Sequence, residues 1–262
     1  MAEPQKEMTI IEHLEELRRV LLISLVAVLI CAAGAYAFSD QIMGVLLGPV
    51  TSAGYKPVVT GVTEAFMVRI KLSLFMGFLV ALPVILWQVW RFVAPALDKA
   101  ERRYFVVFVF GSFFLFMGGV IFGFFGVFKL AVAFLLKFTG SQLVPMLTID
   151  KYISFAIYLL LPFGLIFELP LISFVAARLG LVSSAFLARK RKYALLGTVV
   201  IAAAITPTPD MITCLMMTGP LYALYEASLI VVRLTERAAA RRRAREEAEE
   251  ERDEGVLPVS NT

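Results

Sequence analysis

One long apolar stretch that contains a single acid constrains this chain more than any other feature. Residues 152–177 are almost entirely apolar over 26 positions, and their only charged residue is Glu168. A helix of that length spans the hydrocarbon core of a bilayer. A carboxyl group near the centre of such a helix costs about 3 kcal/mol or more to place in lipid. We therefore expect Glu168 to face protein or a wet cavity, and we take it as a candidate functional residue.

Two interpretations of Glu168 remain open at this point. Pro162 and Pro170 flank it, and each proline removes a helical N–H donor and frees a carbonyl four residues earlier. Glu168 can be an acid that meets a functional partner in a groove between helices. It can also be a protonated acid that a bond to a neighbouring helix holds for structural reasons.

The composition predicts an all-α membrane protein with six transmembrane helices. The chain has 262 residues, of which 60% are hydrophobic. The apolar runs lie at residues 20–39, 72–90, 104–128, 152–177, 193–205 and 211–232. The fifth run reaches only about 20 Å as a helix, which predicts a short hairpin of spans five and six. We expect residues 1–233 to form the membrane domain and residues 234–262 to form a charged tail, either helical or disordered.

The basic residues predict the orientation of the chain. With six spans, both termini lie on one side, and that side carries 19 of the 25 lysines and arginines. The positive-inside rule then places both termini in the cytoplasm. The loops at residues 40–70, 129–151 and 206–211 are expected to face outward.

Several classes of function lack the residues they require. His13 is the single histidine and precedes the first apolar run, so no intramembrane Ser–His or His-based metal site can form. Cys31 and Cys214 lie within apolar runs, which indicates buried thiols rather than a disulfide framework. The basic residues lie at the membrane edges, which gives no support to nucleic-acid binding. We predict no metal, no cofactor and no enzymatic activity.

Two cytoplasmic stretches place acids among basic residues at the membrane surface. In the first stretch, Glu15 can reach Arg18 at i+3 and Arg19 at i+4, which predicts local neutralisation. Glu16 has only Arg19 at i+3 and lies four residues from the like charge of Glu12. Glu16 is therefore the freer carboxylate.

The second stretch contains Glu101, which follows Pro95 and precedes the third span. Either stretch alone is more simply interpreted as a solvated charged surface. Together, two unsatisfied carboxylates on one face can bind a dibasic ligand through bidentate arginine contacts.

Four segments together resemble the TatC family, the multispanning receptor subunit of the twin-arginine protein translocase. They are HLEELRR at residues 13–19, FVAPALDKAERR at 92–103, FELP at 167–170 and TPTPD at 206–210. Their order and spacing match the family from about residue 10 to residue 233. The charged tail lies outside the resemblance.

The resemblance implies a function and a set of site residues. Members of the family bind the twin-arginine signal peptides of folded proteins at the cytoplasmic face of the bacterial inner membrane. Their partners are the single-span TatA and TatB subunits, further copies of TatC and membrane lipid, and transport uses the proton-motive force. The implied signal-peptide site comprises Glu16, Glu101, Arg18, Phe92 and Pro95. The remaining family positions are Glu168 and Glu226, implied to lie in a concave intramembrane groove, together with Pro49 and Asp210.

Two rival classes of function fit the sequence less well. A small-molecule or ion transporter with Glu168 as its proton or cation site would be favoured by an internal repeat, and the two halves of the chain show none. A structural membrane scaffold would not explain two cytoplasmic acids together with a buried one.

Overall fold

The protein is an all-helical bundle, as predicted. The computed structural model describes residues 10–94, 105–137, 146–205 and 211–255. Outside the helices of these ranges, the backbones of Val58 and Thr148 pair in an isolated β-bridge. The α-helices are α1 (Ile10–Tyr36), α2 (Ser39–Thr51), α3 (Glu64–Val93), α4 (Phe105–Phe122), α5 (Lys129–Lys137), α6 (Ile149–Phe167), α7 (Leu169–Arg178), α8 (Ser184–Arg189), α9 (Arg191–Ile205) and α10 (Met211–Gly255).

Four helical segments are long and apolar enough to cross a membrane. They are Ile11–Tyr36, Glu64–Val93, Phe105–Lys137 and Ile149–Arg178, and they coincide with the first four predicted spans. The two remaining predicted spans fall on α9 and on the first half of α10. With 15 residues, α9 is about 22 Å long and is as short as the sequence suggested.

The last helix is longer than the predicted sixth span, residues 211–232, because the charged tail takes the helical one of its two predicted forms as far as Gly255. It runs for 45 residues and passes without a break through residue 233, where we expected the membrane domain to end. The residues beyond that point are mainly alanine, arginine and glutamate, all of which favour helix. The charged segment up to Gly255 therefore continues the same helix.

The third span also differs from its prediction. Its apolar run ends at Phe128, and the sequence predicts beyond it a loop over residues 129–151 with one amphipathic helix, roughly Leu130–Phe138. That helix is present as α5, but the predicted break before it is not. Instead, α4 passes through a π-helical segment, Gly123–Phe128, directly into α5. The wider π turn shifts the register of the helix faces, and Phe124 and Phe128 are both buried there.

The core lies between α3, α4 and α6. Its largest fully buried side chains include Leu72 and Leu82 of α3, Phe116 of α4, and Ile153 and Phe163 of α6. Around this core, α10 packs along α7 and α9, whereas α1 packs extensively on α3 alone among the described helices. Most apolar side chains of α1 are exposed, as expected for a helix that faces lipid.

One glycine of the third span allows a close contact between two helices. A Cβ atom at Gly119 would lie 2.6 Å from the backbone oxygen of Phe163, so only glycine lets α4 approach α6 this closely. The neighbouring Gly118 has no atom within 4 Å of the same position and is not part of the contact.

A carboxylate ties the helices together at the end of the bundle where α3 and α6 begin, which we call the Glu64 end. One oxygen of Glu64 accepts hydrogen bonds from the backbone N–H groups of Thr60 at 2.5 Å and Gly61 at 3.1 Å. Its other oxygen accepts from the N–H of Asp150 at 3.1 Å, and the Asp150 carboxylate pairs with Lys71 at 2.5 Å. These contacts hold the loop before α3 against the start of α6.

Candidate functional site

A polar pocket lies at the opposite end of the bundle, where α1 begins and α3 ends. We call this the Glu16 end and the cavity the Glu16 pocket. Its volume is about 350 Å³. It is lined by Glu12, Glu15, Glu16, Arg19 and Val20 of α1 and by Gln88 and Arg91 of α3.

Glu16 and Glu15 differ in how they face this pocket. Glu16 is half-buried, and its Oε2 atom is buried without a hydrogen-bond partner among the described residues. Glu15 is exposed. Glu16 therefore presents an unsatisfied acceptor to the pocket, whereas water solvates the Glu15 carboxylate.

The structure corrects our reason for preferring Glu16. We expected Glu15 to be neutralised by Arg18 and Arg19, but no ion pair joins Glu15 to either arginine within the described part of the chain. On an exposed helix face, fixing two long side chains in one geometry costs about as much as the ion pair contributes. The difference between the two acids is one of burial, not of pairing.

Aromatic stacking joins the two helices beside the pocket. The rings of His13 on α1 and Phe92 on α3 stack with centroids 4.2 Å apart at 18°. Phe92 thus packs on a residue one helical turn before Glu16, although it does not itself line the pocket. The pocket lining adds Gln88 and Arg91, which we had not selected from the sequence.

Of the other predicted members of this site, only Arg18 lies within the described residues. Arg18 is exposed and does not line the pocket. Pro95 and Glu101 lie outside the described residues, and so does Asp210. Pro49 is half-buried within α2, the helix that comes before α3 in the chain.

Glu168 occupies a one-residue break between α6 and α7. Its backbone ends α6 and begins α7, while Pro170 lies in the first turn of α7. Glu168 is only 7% exposed, so it faces protein, one of the two surroundings expected from the sequence. Its Oε1 atom is buried without a hydrogen-bond partner in the described structure.

Glu226 belongs to a different group of residues from Glu168. Its carboxylate pairs with Arg191 of α9 at 2.7 Å and accepts a hydrogen bond from the Tyr222 hydroxyl at 2.9 Å. These contacts fasten the start of α9 to α10. In this structure Glu226 has the surroundings of a structural ion pair rather than of an open acceptor.

The described residues offer no cluster of three His, Cys, Asp or Glu side chains that could hold a metal ion. The same residues do offer two buried carboxyl oxygens without a hydrogen-bond partner, one at the end of the bundle and one inside it. An exposed pocket with a partly buried carboxylate can accept the paired N–H groups of a guanidinium. A buried carboxyl can accept a donor only from a group that enters the protein interior.

Comparison with known proteins shows one consistent relationship. The family model described as "Sec-independent protein translocase protein (TatC)" matches residues 12–220. The chain is 47% identical to the Sec-independent protein translocase protein TatC of Carboxydothermus hydrogenoformans, over 87% of this chain and 94% of that protein. It is 39% identical to the protein of the same name from Aquifex aeolicus, over 88% of this chain and 97% of that one.

A solved structure gives the same result. The fold superposes on a crystal structure of the "Twin Arginine Translocase Receptor- TatC" with a TM-score of 0.78 and 39% sequence identity. The match covers 86% of this chain and all of the other. A second crystal structure of that receptor, in DDM, matches with a TM-score of 0.77.

Proposed function

The chain belongs to the TatC family, and from that membership we propose that it binds twin-arginine signal peptides in the Glu16 pocket. It is a membrane subunit of the Sec-independent protein translocase and a transport protein rather than an enzyme. We further propose that the Glu16 end faces the cytoplasm of a bacterium and that export of folded proteins draws on the proton-motive force. The partners in this proposal are TatA, TatB and further copies of the chain.

The observation that carries the proposal is the unsatisfied Oε2 atom of Glu16 in a pocket between α1 and α3. A guanidinium presents paired N–H donors in a planar fork that matches a carboxylate, whereas an ammonium is a compact charge without that geometry. The pocket is therefore suited to one arginine of the signal peptide. Glu101, together with Pro95, is proposed to receive the other from the segment that follows α3.

Cross-linking at the pocket tests this proposal. A photo-cross-linking residue placed at Gln88 is expected to capture a twin-arginine signal peptide, because Gln88 lines the same cavity as Glu16. A matched twin-lysine peptide is expected to give about one tenth as much adduct as the twin-arginine peptide, or less. The reason is that one lost charge-assisted contact costs about 1.5 kcal/mol or more.

The control is the same cross-linking residue at Val62, which is fully exposed near the Glu64 end. Equal capture at Val62 and Gln88, or equal capture of the two peptides, would contradict binding in the Glu16 pocket.

For Glu168 we propose a second role, as an intramembrane acceptor for a donor group on a partner helix or a signal peptide. Glu168→Ala is expected to leave the protein folded and inserted but to impair transport severely. The variant removes a buried carboxyl with an unsatisfied oxygen, and such a group is itself costly to bury. The measurement is the melting temperature in detergent beside transport of a folded twin-arginine substrate.

Glu226→Ala supplies the contrast for this experiment. Because Glu226 is paired with Arg191, its removal leaves a partly buried guanidinium without its carboxylate, at a cost of about 1–3 kcal/mol. We therefore expect Glu226→Ala to lower the melting temperature more than Glu168→Ala does. A large loss of stability in Glu168→Ala, with transport falling only in proportion, would instead support the structural interpretation of Glu168.

A further inference from the structure

A mainly apolar groove between α3 and α6 adjoins a polar pocket at the Glu64 end of the bundle. The polar pocket has a volume of about 420 Å³, and the groove has a volume of about 390 Å³. Lys71 lines both of them. The two cavities therefore form one site with a polar part and an apolar part, which we call the Lys71 site.

The apolar part follows equivalent positions on the two helices. On each helix the lining residues recur at i, i+3, i+4 and i+7, and they are Lys71, Leu74, Phe75 and Phe78 of α3 and Ser154, Ile157, Tyr158 and Leu161 of α6. Each set covers about 10 Å of helix. Phe75 is buried, whereas Leu74 and Tyr158 are exposed. The groove thus has a buried floor and an exposed rim, and its length fits within one leaflet of a hydrocarbon core that is about 30 Å thick.

The polar part lies where the second and fourth spans enter the membrane. Lys71 immediately precedes the apolar run at residues 72–90, and Lys151 immediately precedes the run at residues 152–177. The headgroups of a bilayer lie at this level, just outside the hydrocarbon core. Both ammonium groups are therefore placed at the depth of lipid phosphates.

The polar part has donors and an acceptor to spare. Lys71 Nζ donates to Asp150 Oδ1 at 2.5 Å and to the Ser154 hydroxyl at 3.2 Å, which leaves one of its three N–H groups. Lys151 is exposed and forms no ion pair among the described residues. The ion pair of Asp150 uses Oδ1, so its Oδ2 atom is available as an acceptor.

The charges of the polar part favour a ligand that carries both signs. Lys71 and Lys151 are balanced there by the carboxylates of Glu64 and Asp150. A headgroup that is only anionic would satisfy the lysines but would also meet the carboxylate of Asp150. A headgroup with a phosphate and a primary ammonium satisfies both, because the phosphate accepts from the lysines and the ammonium donates to Asp150.

The lining of the apolar part favours an acyl chain over a partner helix. Membrane helices approach one another closely over small residues, and the groove is lined by neither glycine nor alanine. A stable protein interface uses about 20–30 residues on each side, many more than line this groove. A flexible acyl chain can instead follow a narrow groove between large side chains.

We propose that the Lys71 site binds one phospholipid whose headgroup carries a phosphate and a primary ammonium, as in phosphatidylethanolamine. The headgroup occupies the polar part, and the upper portion of one acyl chain lies in the groove. The bound lipid contacts both α3 and α6, two helices of the core. This inference goes beyond the proposed function and is independent of it, since the site lies at the opposite end of the bundle from the Glu16 pocket.

Photo-cross-linking with lipid probes tests the proposal on the full chain. The protein is reconstituted into phosphatidylcholine vesicles that contain a small fraction of one probe, which carries a diazirine in the upper part of an acyl chain. The three probes share that chain and have a phosphatidylethanolamine, phosphatidylglycerol or phosphatidylcholine headgroup. Mass spectrometry measures adducts on residues 71–78 and 154–161 relative to residues 21–30 of α1, where most apolar side chains are exposed.

This ratio is expected to be about threefold higher, or more, for the phosphatidylethanolamine probe than for the other two. Phosphatidylglycerol lacks an ammonium group, and the quaternary ammonium of phosphatidylcholine has no N–H to donate to Asp150.

Two substitutions test the two parts of the site separately. Lys151→Gln removes a phosphate contact and is expected to lower the ratio for the phosphatidylethanolamine probe about threefold. Its matched control is Lys56→Gln, which removes an exposed lysine of the loop before α3 that lines neither part. Ile157→Trp fills the groove and is expected to abolish groove adducts with every probe. Val80→Trp, at an exposed position of α3 outside the groove, is expected to preserve them.

The exposed Lys151 can be replaced without disturbing the core, so the test stands even if Ile157→Trp fails to fold. Equal ratios for the three probes, or an unchanged ratio in Lys151→Gln, would overturn the proposed headgroup. Loss of the groove adducts on addition of a single-span TatA or TatB subunit would assign the groove to a helix and overturn the lipid as its occupant.

Discussion

Glu16→Ala is expected to weaken binding of a twin-arginine signal peptide by about 10- to 150-fold, the equivalent of one charge-assisted contact of about 1.5–3 kcal/mol. Glu15→Ala is expected to change the affinity by less than about threefold, because an exposed and solvated carboxylate contributes little to a contact. The two acids are adjacent in sequence and identical in charge. Their difference lies in the burial of Glu16 and in its unsatisfied Oε2 atom.

The measurement is a titration of a fluorescent twin-arginine peptide against the purified protein, repeated at several salt concentrations. A surface effect of net charge would weaken both variants equally and would disappear at high salt. Glu16→Gln keeps the size of the side chain and is expected to lose nearly as much affinity as Glu16→Ala. Equal losses for Glu15→Ala and Glu16→Ala would contradict the assignment of the pocket to Glu16.

The last turns of α3 contact both the Glu16 pocket and the interior of the bundle. Gln88 and Arg91 line the Glu16 pocket, and Phe92 stacks on His13 of α1. Between them, the indole N–H of Trp90 donates to the buried Ser112 of α4 at 2.9 Å. Because successive residues of a helix point about 100° apart, one short segment can line a pocket at the end of the bundle and also bond to a residue inside it.

Most of the membrane architecture could be predicted from hydropathy. The first four spans and the single acid within the fourth follow from the length of the apolar runs. The ends of the long helices were less predictable. No proline lies near Phe128, so the third span continues through its π-helical segment into α5 without the break that we expected there. For the same reason α10 continues past residue 233 into its charged segment.

The details of the site depended on contacts between segments that are distant in the chain. The spacing of Glu15 and Arg19 permitted an ion pair but could not determine whether an exposed pair forms. Gln88 could have been found because it lies four residues before Phe92 and so shares its helix face. The hydrogen bond from Trp90 to Ser112 carried no such signal, because a serine in an apolar span usually bonds to its own backbone.

The contact between α1 and α3 should determine whether the Glu16 pocket exists at all, and Gly77→Leu tests this. A Cβ atom at Gly77 would lie 2.5 Å from the backbone N and Cα atoms of Ala32, so the side chain would collide with the backbone of α1. A flexible side chain could rotate away from such a collision, but a helix backbone can yield only by moving as a whole. Overpacking of this kind typically costs about 1–3 kcal/mol.

Since α1 packs extensively on α3 alone among the described helices, we expect Gly77→Leu to displace α1 rather than to unfold the bundle. The displacement would carry Glu16 away from Gln88 and Arg91, so binding of the signal peptide should be lost together with the contact. Spin labels at the exposed positions Ile11 and Val89, in a background without Cys31 and Cys214, report the separation of α1 from α3.

Gly34→Leu is the matched control, because nothing lies within 4 Å of a Cβ atom there. An increased distance and lost binding in Gly77→Leu, with both preserved in Gly34→Leu, is the expected result. An unchanged distance with intact binding in Gly77→Leu would mean that the close approach of Gly77 to Ala32 does not hold the pocket together.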